Sequence, residues 1–170
     1  MSSEPVSSNS NRTFTLDPVD NLTIGSTYIT RVTTGVKDTA GNALSSQYDN
    51  STGFTLVDFT APTISSVSTT ADNQSLVSIT DNITVTFSES MEPSYITTTT
   101  SDYTCRNETI KVSSDNFSTC VRMSSEPVSS NSNRTFTLDP VDNLTIGSTY
   151  ITRVTTGVKD TAGNALSSQY

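Results

Sequence analysis

The sequence predicts an all-β protein, an antiparallel sandwich. Three observations carry this reading. Short runs alternate apolar and hydroxyl residues, Ser/Asn/Pro/Gly clusters punctuate the chain roughly every ten residues, and no long segment has a 3.6-residue period. The first run is RTFTLDP (12–18), with Phe14 and Leu16 on one face. STYITRVTTGV (26–36) gives a longer strand carrying Tyr28 and Val32, and Gly53–Val57 another. A Pro-containing linker around Asp58–Pro62 separates that strand from the next, Thr63–Ser68. In NITVTF, Ile83, Val85 and Phe87 alternate with Thr84 and Thr86, the period-2 pattern of a half-buried strand. Pro93 suits the first position of a short helical turn at Glu92–Ile96. IKVSS (110–114) and TCVRMSS (119–125) read as two further strands.

Residues 1–48 recur without a substitution at 123–170, an offset of 122 residues, and the unmatched part is 49–122. Self-similarity at a fixed period marks an array, so the repeat unit is 122 residues long. A linker between two strand-like runs is a plausible joint. On that reading residues 1–59 are the C-terminal part of one repeat, and 60–170 are a second repeat lacking its last strand, the equivalent of GFTLV. Two identical segments then compete to complete the half at 60–122.

Composition excludes several classes. Hydrophobic residues make up 32% and charged residues only 15%, so Ser, Thr and Asn fill the deficit and the expected core is thin. A net charge of −8 gives no basic stripe to displace counterions from phosphates, which argues against nucleic-acid binding. No apolar run approaches the ~20 residues that span a bilayer. Met1 is not followed by a basic stretch and an apolar core. The absence of His removes the commonest general base and metal ligand, and there is no Gly-rich phosphate loop. Glu89/Glu92 and Asp139/Asp142 lie close in sequence, but paired carboxylates alone do not make a catalytic site. No enzyme is expected.

Cys105 and Cys120 flank IKVSSDN, 15 residues apart. In a reducing cytosol they are free thiols or the remnant of a metal site. In an oxidising compartment they pair, and the composition is of the secreted type that favours pairing.

LTIGSTYITRVTTGVKDTAGNAL (22–44 and 144–166), together with ITVTFSESM (83–91), resembles the bacterial immunoglobulin-like domains of S-layer and other cell-surface proteins. The resemblance covers essentially the whole repeat unit and its DTAGNAL segment is fairly specific. It implies an Ig-like β-sandwich, usually in tandem, serving as a stalk, spacer or adhesive module with no catalytic residues. The Cys pair departs from it, so that hairpin is expected to be specialised.

The same letters have a structural reading. Leu144, Gly147 and Tyr150 have the spacing of a tyrosine corner, in which a Tyr hydroxyl ties back to upstream backbone; Tyr28 is the equivalent in the first copy. Asp160-Thr-Ala-Gly163-Asn164 suits a tight turn, as does its copy from Asp38 through Gly41, because Gly and Asn tolerate positive φ. Asp58, Asp81, Asp38 and Asp160 are candidates for a junction-bound structural Ca²⁺, which needs six to eight oxygens. No calcium-loop motif supports an ion, and turn capping accounts for these residues without one.

Asn-x-Ser/Thr occurs nine times, and Asn107, Asn116, Asn50, Asn21 and Asn143 are the candidate glycan sites if the chain is exported where the machinery exists. Asn73 and Asn82 are among the remaining matches.

The function expected from these readings is an extracellular structural repeat of a stalk, adhesin or filament. Its partners are either neighbouring repeats of a long tandem array, of which this segment is an arbitrary window, or identical subunits joined head to tail by strand exchange of the donor-strand kind. The alternative is an adhesion module recognising glycans or host proteins through its end loops, although without Trp an aromatic sugar platform is hard to assemble.

Overall fold

The structure is a computed structural model describing residues 4–69 and 78–170. The chain divides into two compact units, Met1–Asp58 and Phe59–Tyr170.

The second unit is an antiparallel β-sandwich. Strands β7 (Ile64–Thr69), β8 (Ile83–Phe87), β10 (Val128–Ser130) and β11 (Thr135–Leu138) form one sheet in the order β10-β11-β8-β7. Strands β9 (Ile110–Ser113) and β12 (Ile151–Val154) form the other. Alternation explains the layering. Along β8 the apolar residues are buried and the threonines half-buried, and β11 repeats this with Phe136 and Leu138 facing inward. Phe136 lies opposite Val85 in the β11–β8 ladder, and its ring meets Phe87 edge-on at 5.9 Å between centroids. Ile110, Val112 and Val154 close the core from the second sheet, joined by Met91, Ile96, Met123, Val158 and Leu166.

Two local devices shape this unit. The β10–β11 hairpin turns through Asn131, Ser132 and Asn133, all with positive φ, which short polar side chains tolerate best. Glu92 caps the 3-10 turn Pro93–Tyr95, its carboxylate accepting from the Ser94 N–H.

The first unit contains the same hairpin, β1 (Val6–Ser8) with β2 (Thr13–Thr15), and the same turn at Asn9, Ser10 and Asn11. Two short ladders follow, β3 (Thr27–Tyr28) with β6 (Phe54–Thr55) and β4 (Arg31–Val32) with β5 (Tyr48–Asp49). Among its described residues no side chain is buried. Phe14 is 57% exposed where its copy Phe136 is 1%, and Leu16 is 45% exposed where Leu138 is 0%. Val36 and Leu44 are exposed likewise, while Val158 and Leu166 are core.

Several expected strands come out differently. TCVRMSS (119–125) makes only an isolated bridge, Met123 to Pro140. Its amides change partner along the segment: Cys120 N–H donates to Tyr103 O, Val121 to Val112 O and Met123 to Thr99 O, so no continuous ladder forms. The run at 26–36 breaks into two two-residue strands in the first unit, and in the second it is regular only over Ile151–Val154. The strand expected over Gly53–Val57 is regular only at Phe54–Thr55, because Gly53 sits at φ +64° and turns the chain.

Beyond β9, Asp115 organises the turn to Thr119. Its carboxylate accepts from the Thr119 hydroxyl (2.6 Å) and N–H (2.9 Å) and from the Ser113 hydroxyl (2.8 Å). These bonds, the Thr119 hydroxyl first, hold its pKa down to about 2. A folded-state value below the ordinary one stabilises the fold above the unfolded pKa, and that contribution is lost as pH falls through the folded value. An NMR titration of the Asp115 carboxyl carbon should therefore have its midpoint near 2, and Asp115→Asn should remove that step of the acid-side loss of stability. A midpoint at the ordinary Asp value of about 3.9 would contradict the turn geometry.

Candidate functional site

The residues that the sequence singles out fall mostly into structural roles. Thr145 N–H donates to the Tyr150 hydroxyl at 3.0 Å, and Thr23 N–H to the Tyr28 hydroxyl at 2.8 Å, tying each strand back to its preceding loop. Asp160 is buried, and its carboxylate accepts from Ala162 N–H, Asn164 N–H and the Asn164 side-chain amide, each at 2.8 Å. Asp38 makes the same three bonds in solvent, and the Asn42 side chain, then its backbone, holds the Asp38 carboxyl below its ordinary pKa. Gly163 (φ +94°) and Gly41 (φ +90°) occupy the left-handed position of these turns.

Of the calcium candidates, Asp58 is the last residue of the first unit and Asp38 belongs to that unit's turn. Asp81 precedes β8 and accepts from Ser78 N–H. At the other end of β8, Glu89 brings a carboxylate oxygen within 4.8 Å of one on Asp160. Sequence reasoning did not assign Glu89 a metal role, because nothing local joins residues 89 and 160. Of the carboxylates paired in sequence, Glu92 caps its turn, Asp139 accepts from the Ser124 hydroxyl, and Asp142 from the Tyr103 hydroxyl at 2.6 Å.

Cys105 and Cys120 form a disulfide with Cα atoms 5.2 Å apart. Cys105 lies in a loop rather than a strand, and the bridge fixes that loop beside a small pocket of about 200 Å³ lined by Tyr103, Arg122, Asp142 and Tyr150. The Arg122 guanidinium lies 5.6 Å from the centre of the Tyr103 ring. Asn107, Asn116, Asn21 and Asn143 are exposed and Asn50 is half-exposed, while Asn73 lies outside the described residues. Asn116 is in the left-handed region, at the start of the turn that places Phe117 under the Arg153 guanidinium.

The larger concavity of the second unit is a groove of about 890 Å³. Its walls come from β7, the start of β8, Val112 of β9, residues 144–152 and Tyr170. Among the described residues β12 pairs with β9 on one side, and on its other side Val154 exchanges both backbone hydrogen bonds with Tyr170. The residues that wall the groove carry no motif in the sequence.

A β-sandwich with two sheets around one apolar core and carboxylates tied up in turn caps defines an immunoglobulin-like module. The family model for the bacterial Ig-like domain matches residues 1–56 and 58–170, and the chain belongs to that family. No curated protein matches it. No helix among the described residues is long and apolar enough to cross a membrane.

Proposed function

We propose that the chain is a non-enzymatic structural repeat of an extracellular stalk, adhesin or filament, whose subunits join head to tail by strand exchange. The observation that carries this reading is the contrast between two identical segments. The 48 shared residues make the same hairpin, tyrosine tie and Asp-capped turn in both places, yet only the second copy has a core. The segment is therefore built to be completed by a complementary half, which is what a tandem or polymeric array supplies. The disulfide fits an oxidising compartment. Donor and acceptor are different segments, so the contact is heterologous, and repetition without closure gives a line of subunits.

Electron microscopy with size-exclusion chromatography tests the reading. Linear oligomers that lengthen with concentration are expected. A monodisperse monomer at every concentration would sink the strand-exchange version. Selective binding on a glycan array, abolished by end-loop substitutions, would favour the adhesion alternative.

A further inference from the structure

We propose that the small pocket beside the disulfide is a binding site for a single sugar ring, held through adjacent hydroxyls between Arg122 and Asp142. The proposal goes beyond the structural reading and does not depend on how repeats join, because every group it uses lies within residues 103–144.

Two walls of the pocket come from the part of the chain that is not repeated. Tyr103 stands two residues before Cys105 and Arg122 two residues after Cys120, so the bridge ties these walls together. Cys120 N–H donates to Tyr103 O at 2.8 Å and pins the same loop through the backbone. The third wall is fixed to the second. Val141 N–H donates to Arg122 O at 2.9 Å and Met123 bridges to Pro140, which brings Asp142 to the same pocket. Side chains held in place before binding lose little freedom when a ligand arrives. The first unit repeats Asp142 as Asp20, which is exposed, but its segment carries no counterpart of Tyr103 or Arg122.

The lining offers acceptors and donors without net charge. The Tyr103 hydroxyl donates to Asp142 Oδ2 at 2.6 Å. That bond, and then the charge of the carboxylate, raises the Tyr103 pKa, so the phenol stays protonated and keeps its lone pairs for an incoming donor. Among the described residues Asp142 Oδ1 accepts no bond. On the donor side the Arg122 guanidinium lies 5.6 Å from the centre of the Tyr103 ring. Its Nε is buried without a hydrogen-bond partner among the described residues, an arrangement that a ligand oxygen drawing the guanidinium into the pocket improves. Exposed Asn143 and Ser114 complete the polar lining. Arg122 and Asp142 both line the pocket yet are not ion-paired with each other.

Such a lining selects a neutral ligand whose groups both donate and accept, and hydroxyls do both. An amino-acid zwitterion fits less well: its ammonium against Asp142 would share the Tyr103 ring with the Arg122 cation. Val121 and Leu144 add apolar surface for the C–H face of a ring. A volume of about 200 Å³ lies below the roughly 300–1,000 Å³ of sites for drug-sized ligands, so one ring enters and any attached chain stays outside.

Methyl α-mannoside, methyl β-galactoside and methyl β-N-acetylglucosaminide, titrated separately into the isotope-labelled full chain, test this through amide chemical shifts. At least one should move the amides of Tyr103, Arg122 and Asn143 with a dissociation constant of about 0.1–10 mM. Asp142→Asn removes the charged acceptor, and Arg122→Lys keeps the charge but loses the planar fork. Each should weaken binding of that sugar at least about tenfold while the remaining amide signals stay in place. Tyr103→Phe should weaken it less, and Asp20→Asn should leave it unchanged. No movement of those amides by any of the three sugars up to about 50 mM overturns the site. Movement by free alanine where no sugar acts overturns the sugar class and assigns the pocket to a zwitterion. Affinity that survives both Asp142→Asn and Arg122→Lys, or falls equally with Asp20→Asn, overturns this pocket as the place where the sugar sits.

Discussion

Phe136→Ala should lower the stability of the second unit by about 3–5 kcal/mol, whereas Phe14→Ala, the same substitution in the same local sequence, should change it by no more than about 0.5 kcal/mol. Phe136 is 1% exposed, opposite Val85 in the ladder and edge-on to Phe87, so truncation leaves a cavity walled by β8 and β11. Phe14 is 57% exposed and has no such walls. Set against the 5–15 kcal/mol typical of a domain, the first loss is enough to unfold much of the population on mild heating. Urea denaturation measures both: the midpoint should fall for Phe136→Ala with an unchanged slope, and stay in place for Phe14→Ala. The contrast holds for the unassembled chain; equal losses at concentrations where subunits associate would mean that the first copy is packed against a complementary half, as the array reading requires. Leu138 against Leu16 is a second such pair, and smaller side chains should show a proportionately smaller contrast.

The fold class was legible because its signals are local. Alternation in ITVTF and RTFTL reports which residues face a core, and β8 and β11 pair on those letters. The Asn-Ser-Asn turn lies within one hairpin, so it forms identically at 9–11 and 131–133. What local sequence cannot carry is whether the core is present. The shared 48 residues are the same string in both units, yet Val154 and Val158 are fully buried and Val36 is exposed. The difference lies in residues 59–122, which supply β7, β8 and β9 to one copy. TCVRMSS misleads for a related reason: its alternation is strand-like, but its amides are shared among Tyr103, Val112 and Thr99, partners that only the fold brings together.

The groove was half legible. Aligning the copies places Thr149 and Tyr150 at the positions of Thr27 and Tyr28, which pair with Thr55 and Phe54 in the first unit. The opposite wall, Val67 and Ile79, comes from the unmatched part and carries no motif. The Glu89–Asp160 approach was hidden in the same way, since one residue follows β8 and the other begins the Asp-capped turn, joined through the bridge of Met91 to Asp160. Gly53 had the clearest physical signal of all, a glycine where a Cβ meets backbone, but its meaning depends on knowing the partner strand.

Replacing both Cys105 and Cys120 by Ser should cost the second unit about 3 kcal/mol in the chain-entropy account of a 15-residue loop. The loop so closed contains β9, whose Ile110 and Val112 are core, and the bridge shortens the search by which that strand finds β12. For a domain near 100 residues each kcal/mol moves Tm by about 4–8 °C, so a drop of roughly 12–24 °C is expected. The folded state contributes less than the unfolded one to this difference, because Asp102, Arg106 and Thr104 already hold the loop through their own bonds, and Cys120 N–H remains bonded to Tyr103 O. Adding reductant should lower Tm of the native chain by a similar amount and leave the double-Ser variant unaffected. A single Cys120→Ser should cost about as much folding stability as the double change, since both place a hydroxyl at a site 3% exposed, but it also leaves Cys105 as a free thiol able to form mixed disulfides. A native chain whose Tm does not respond to reductant would show that the loop is held by its hydrogen bonds alone.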